Sequence, residues 1–247
     1  MLSPPFSFVM KTKKGYVAQV AEIAGCECMI PFKPELVIFD LDGTLVHFPH
    51  DYLFRETNRI LEELTWPPVE EAVLEETFSL FDYFSFIEED KRVRFQEHFW
   101  QAFDHKNYPA PVPFTGSVKC LQTLSDLGIS IAIATARAYA EEELQAALAG
   151  TGILDFIDVL VPRRVQDRDW MDKSGQIQEI CQRLDVSTKK SVMVGDIPPD
   201  ITSASEAGVG FTVAVLSGGI REEILRRAAP DLVVENVDEL INYFLSI

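Results

Sequence analysis

The chain has 247 residues, 47 % of them hydrophobic and 25 % charged, with a formal net charge of −17. That length and balance suit a soluble chain with one large α/β domain, or a main domain carrying a smaller insert. The negative charge argues against nucleic acid or an anionic membrane surface as a partner, and no apolar run approaches the roughly 18 residues that cross a bilayer.

In MLSPPFSFVMKTKKG the positive charge follows the apolar part, the reverse of a signal peptide, so a cytoplasmic protein is expected. Residues 1–33 read as an N-terminal extension, with Gly15–Ile23 as an extra edge strand. Cys26 and Cys28 form a CxC pair without a second pair or a histidine nearby. A structural zinc site needs four ligands, so ordinary thiols are the simpler reading, and Cys120 and Cys181 imply no disulfide.

From Pro34 onward, short apolar runs alternate with helical patterns, which predicts a doubly wound, mostly parallel sheet covered by helices on both faces. Leu36–Asp40 is the first expected strand, Ile129–Thr135 the second and Phe156–Val161 the third. A helix is expected over Ala138–Ala149 and another over Ser174–Leu184. Strand Ser191–Val194, a helix from Asp200 to Gly208, and strand Phe211–Val215 follow. Helix Arg221–Ala228, strand Leu232–Val234 and a helix from Val237 close the series.

Between the first strand and the second the character changes. The stretch lacks strand-like alternation and carries aromatics at helical spacing, such as Phe78, Phe81 and Tyr83, then Phe95, Phe99 and Phe103. Pro67-Pro68 separates two of its helices, and Pro109, Pro111 and Pro113 end it. Residues 46–113 therefore read as a four-helix-like insert, with 1–45 and 114–247 forming the α/β core. The run Lys91-Arg92-Val93-Arg94 reads most simply as a solvated helix face.

Asp40-Leu41-Asp42-Gly43-Thr44 ends the first strand. Two carboxylates released from a strand into a Gly-containing turn project over the sheet edge where open α/β sheets bind ligands. One can attack phosphorus while the other protonates the leaving oxygen and later activates water; a plain surface turn is the bland alternative. Gly195-Asp196-Ile197-Pro198-Pro199-Asp200 follows another strand, and hard oxygen ligands on adjacent loops suit Mg²⁺. Asp200 also reads as a helix cap, and both roles are compatible. Thr135 and the backbone at Ala136 can hold a phosphoryl group or cap a helix, while Arg137 either grips phosphate or stays in solvent. Lys173, just before a helix, would offset crowded carboxylates. No GxxxxGK[ST] loop, GxGxxG turn, GxSxG elbow or zinc-spaced histidine pair occurs.

The order DLDGT, strand-terminal Thr, lysine opening a helix, then GDxxxD resembles the haloacid dehalogenase superfamily. The tail AVLSGGIREEILRRAAPDLVVENVDELI, with the helical insert, is similar to its phosphoglycolate phosphatase-like branch. The resemblance implies Asp40 as nucleophile and Asp42 as general acid/base. It implies Mg²⁺ held by Asp40, the Asp42 carbonyl and Asp196, phosphoryl binding by Thr135 and Lys173, and Asp200 ordering the metal site. The acid at Asp42 points to phosphate ester chemistry, because superfamily members that cleave carbon–halogen bonds or phosphonates lack it. The expected activity is hydrolysis of a small phosphorylated metabolite such as 2-phosphoglycolate by a monomer or homodimer. A β-phosphoglucomutase-like mutase and a non-enzymatic binding protein on the same scaffold are the alternatives. Three departures stand out: His47 where the motif often continues DGTLxD, Ala136 in place of Asn, and Ser174-Gly175 after the lysine in place of Pro.

Overall fold

The computed structural model describes residues 30–104, 107–164 and 171–246; Gly15–Ile23, Cys26 and Cys28 lie outside them. In chain order the elements are β1 (Leu36–Phe39), α1 (His50–Glu63), α2 (Glu71–Ser79), α3 (Glu89–Ala102), α4 (Ser117–Asp126), β2 (Ser130–Thr135), α5 (Glu141–Leu148) and β3 (Val159–Pro162). They continue with α6 (Ser174–Leu184), β4 (Ser191–Gly195), α7 (Pro198–Ala207), β5 (Phe211–Val215), α8 (Glu222–Arg227), β6 (Leu232–Val234) and α9 (Val237–Leu245).

The six strands form one sheet in the order β3-β2-β1-β4-β5-β6, all parallel. Because side chains alternate along a strand, each strand divides its residues between two cores. Val37 and Phe39 of β1, with Ile131, Ile133, Val192 and Val194, pack under residues of α4, α5 and α9. Leu36 and Ile38, with Ala132, Ala134 and Met193, face α6 and α7. Buried on both faces, the strands read as continuous apolar runs rather than alternating ones. Cys120 and Cys181 are buried thiols, one in each layer. The chain order reverses direction about β1, between β2 and β4, and a crevice opens at such a point beyond the strands' carboxyl ends.

Three helices, not four, occupy 46–113 among the described residues. Phe81 takes a positive φ of 55° beyond the end of α2, and turns occupy the chain from Leu80 to Ile87. Phe81 and Tyr83 therefore sit on turns rather than a continued helix. The insert has its own aromatic core, with Phe84, Phe95, Phe99 and Phe103 around Tyr52 and Ile60. Its two connections run side by side: Val46 bridges Pro113, His47 N–H donates to Val112 O (2.8 Å) and Phe114 N–H to Leu45 O (3.1 Å).

The third strand starts later than its apolar run suggests, because Asp158 engages β2 first: its N–H donates to Ile131 O and its carboxylate accepts from Ile131 N–H. Helix α7 begins at Pro198, two residues before Asp200, since proline needs no N–H partner in a first turn. Among the described residues no helix is long and apolar enough to cross a membrane.

Candidate active site

Asp40 is the first residue beyond β1, and its N–H is held by Val194 O of β4 at 2.9 Å. Asp196 follows the end of β4, Thr135 ends β2, and Lys173 directly precedes α6. These elements bring Asp40, Asp42, Thr135, Lys173 and Asp196 onto the floor of one chamber of about 360 Å³.

Lys173, 1 % exposed, is the centre of charge. Its Nζ donates to Asp40 Oδ1 at 2.5 Å and to Asp200 Oδ1 at 2.6 Å. Burial opposes the ammonium, yet Asp200 and Asp40 outweigh it and raise Lys173 above an ordinary lysine. Its backbone N–H donates to Ser203 Oγ of α7, so the lysine is fixed at both ends. Asp200 does not line the chamber. One of its oxygens takes Lys173, and the other accepts the N–H groups of Asp196 (3.1 Å) and Ile197 (3.2 Å). It thus satisfies the donors at the start of α7 and anchors the lysine at once.

Asp196 accepts the Thr44 hydroxyl at 2.8 Å and is hemmed in by two glycines. A Cβ on Gly218 would lie 1.8 Å from Asp196 Oδ2. One on Gly43 would lie 2.2 Å from the same atom, and Gly43 also has φ +86°, a conformation that disfavours side chains. Ser217 Oγ donates to Gly43 O at 2.7 Å, tying the loop after β5 to the turn after β1.

Arg137 does not stay in solvent. Its guanidinium binds Asp42 through both oxygens, at 2.7 and 2.6 Å, and lies over the Tyr108 ring, 4.7 Å from its centroid. Thr135 Oγ1 accepts the Arg137 N–H at 3.2 Å, and Gln176 joins the ends of β2 and β3 by donating to Thr135 O and Val161 O. Ala136 lines the floor, and its carbonyl accepts from Arg163 at 3.2 Å. His47 lies away from the chamber, packed on Phe114 with ring centroids 4.0 Å apart. The Lys91–Arg94 run also contributes nothing to the chamber lining.

Burial raises the Asp40 carboxyl above the usual range, with Lys173 pulling it back and Asp200 pushing it up. Burial raises Asp42 as well, against the Arg137 bonds and charge. Asp196 is raised well above the usual range, by burial and then by Asp40 and Asp200. Carboxylate oxygens of Asp40, Asp196 and Asp200 lie within 4.8 Å of one another, and the ammonium they share is Lys173. A buried excess of negative charge on hard oxygen donors fits a divalent cation of the magnesium type. With Asp200 spent on Lys173 and backbone, Asp40 and Asp196 are the carboxylates that could hold it.

Sequence reasoning missed Thr44, Gly218, Tyr108 and Arg163. Thr44 stands inside the DLDGT run, but its partner is 152 residues away. The Ser217-Gly218-Gly219 run at the carboxyl end of β5 was the available signal for the loop against Asp196.

A family of proteins described as haloacid dehalogenase-like hydrolases matches residues 37–214. The chain is similar to "Probable phosphatase IndB" of Dickeya dadantii, 28 % identical over 83 % of this chain and 91 % of that one. It is similar to a phosphoglycolate phosphatase of Rhodospirillum rubrum, 27 % identical over 77 % and 82 %. Its fold is like that of a haloacid dehalogenase-like family hydrolase from Streptococcus pneumoniae, with a TM-score of 0.65 at 19 % identity, covering 86 % of this chain and 99 % of the other. This chain belongs to the haloacid dehalogenase-like hydrolase family.

Proposed function

We propose that the protein is a Mg²⁺-dependent phosphatase that hydrolyses a small phosphate monoester through an aspartyl-phosphate on Asp40. The observation that carries this reading is the convergence of Asp40, Asp42, Lys173 and Asp196 on one chamber floor. Asp40, the Asp42 carbonyl and Asp196 would hold the cation, which supplies charge neutralisation at the transferring phosphoryl group.

Asp40 attacks phosphorus, and the bond to the leaving oxygen breaks as that oxygen takes a proton from Asp42. Water then attacks the phosphorus of the aspartyl-phosphate, gives its proton to Asp42, and leaves inorganic phosphate and free Asp40. Lys173 stays beside Asp40 throughout and stabilises charge on the phosphoryl oxygens. Thr135, Ala136 and Arg137 line the phosphoryl side. A phosphate is a bidentate acceptor as good as a carboxylate, so an arriving ester gives Arg137 a second partner and frees Asp42 for the leaving oxygen. Residues 46–113 act as a cap over the core of 1–45 and 114–247 and exclude bulk water from the step. The setting is cytoplasmic, and the partner is a small phosphorylated metabolite.

Phosphate release from a panel of esters that includes 2-phosphoglycolate, with Mg²⁺ and with chelator, tests the reading. Chelator-sensitive turnover that is lost in Asp40→Asn supports it. Turnover that survives Asp40→Asn, or no phosphate from any ester, overturns it.

A further inference from the structure

The chamber above the carboxylates has a composition its floor does not require. Helices α1–α3 and their turns supply its walls with Phe54, Phe78, Phe84, Trp100 and Phe103 among others. Among the described residues this region sends no charged side chain into the chamber. Its two wall threonines are turned inward on their own helices: Thr57 Oγ1 donates to Leu53 O at 2.8 Å and Thr77 Oγ1 to Leu74 O at 3.1 Å. On the floor, Lys173 is shared by two carboxylates and Arg137 is doubly bonded to Asp42. The remaining lining arginine, Arg163, belongs to the core side, where it donates to Ala136 O.

A second anionic group entering this space loses its water and meets aromatic faces, which is a large penalty without a paired cation. An alkyl or aryl group instead gains by leaving water, and aromatic walls add edge and face contacts. We infer that the ester cleaved here carries an apolar organic group, alkyl or aryl, on the side that meets the helical walls. This rests on the phosphatase reading and names the substrate class of the same site.

The test is a series of n-alkyl phosphates from ethyl to hexyl, whose leaving groups differ little in basicity, beside 2-phosphoglycolate and pyrophosphate. Binding of ethylphosphonate, hexylphosphonate and phosphonoacetate, none of which can be hydrolysed as an ester, is measured by calorimetry in parallel. Burial of one CH₂ allows a gain of up to about fourfold, so kcat/KM should rise at least tenfold from ethyl to hexyl phosphate. Hexyl phosphate should also exceed 2-phosphoglycolate. Trp100 is 36 % exposed, so Trp100→Lys tests the wall at a tolerant position; it should lower the hexyl-to-phosphoglycolate ratio by tenfold or more.

A flat alkyl series, or 2-phosphoglycolate or pyrophosphate turned over as well as hexyl phosphate, overturns the inference and leaves the phosphatase reading standing. No hydrolysis of any ester, with hexylphosphonate still bound tenfold more tightly than ethylphosphonate, defeats the phosphatase reading but keeps the apolar chamber. No hydrolysis and no discrimination among the phosphonates overturns both.

Discussion

The floor of the chamber and its walls face opposite packing problems. At the carboxyl edge of the sheet, buried charges are held against one another by hydrogen bonds, by one lysine and by glycines that let backbone approach a carboxylate. In the helical insert, aromatic rings pack edge to face, as Phe84 does on Phe95 and Phe99 at 5.5 and 5.2 Å between centroids. Buried ion clusters add little net stability and fail when one member is removed. Aromatic packing is stabilising and tolerates exchange for residues of similar volume. On the proposed function, chemistry would lie where substitution is least forgiving, and selectivity where it is most forgiving.

The largest expected break in that contrast is Asp40→Asn. Turnover should fall by roughly 10⁴-fold or more, because no other group replaces an attacking carboxylate. Phosphate release measures it, and residual activity within tenfold of wild type would remove Asp40 from the nucleophile's role. Asp42→Asn should cost roughly 10² to 10⁴-fold, the range of acid–base catalysis. It should also leave Arg137 without its doubly bonded partner, which a lowered apparent KM would report as Arg137 turns fully to phosphate.

Gly218→Ala comes next and involves no charged residue. The new Cβ would sit 1.8 Å from Asp196 Oδ2, so the carboxylate or the loop must shift. Overpacking of this kind costs about 1–3 kcal/mol. The concentration of Mg²⁺ needed for half-maximal activity should rise at least tenfold, and an unchanged value would show that Asp196 is not positioned by this loop. On the walls the effect is smaller. Phe54→Leu should change KM by a few-fold and leave kcat nearly intact, as expected for a contact made equally in ground and transition states. A large fall in kcat would mean that the wall takes part in the chemistry.

The same contrast governs what could be read from the sequence. Leu36–Phe39 declares itself because a strand buried on both faces must be continuously apolar, and Phe211–Val215 does so with Thr212 as its one polar residue. Asp40 and Asp196 follow from that, since the residue after such a strand emerges at the sheet's carboxyl edge. The pairing of Arg137 with Asp42, 95 residues apart, has no local signature. Neither does the bond from Thr44 to Asp196, for hydrogen bonds between distant loops are set by the tertiary fold. The insert is hardest to read, because an aromatic at helical spacing looks alike whether it fills the insert's core or lines a cavity. Phe84 and Phe103 do both. Only the turn at Phe81, with its positive φ, decides that α2 stops and Tyr83 faces the chamber.

The smallest effect tests the floor through stability rather than turnover. Asp196 has an ordinary value of 3.8 that burial raises well above that in the fold. Below 3.8 the group is protonated in both folded and unfolded chains and exacts no penalty. As pH rises past 3.8 the unfolded chain ionises freely while the folded one keeps its proton, so stability is lost progressively up to the folded value. Asparagine never ionises. In chelator at neutral pH, Asp196→Asn should therefore melt at a higher temperature than wild type. The advantage should shrink toward zero as pH falls to 3.8. Adding Mg²⁺ should raise the wild-type Tm by mass action and leave Asp196→Asn nearly unmoved. Parallel melting curves for the two proteins across the whole pH range would mean that the Asp196 charge is already well compensated, and that a cation has no strain to relieve there.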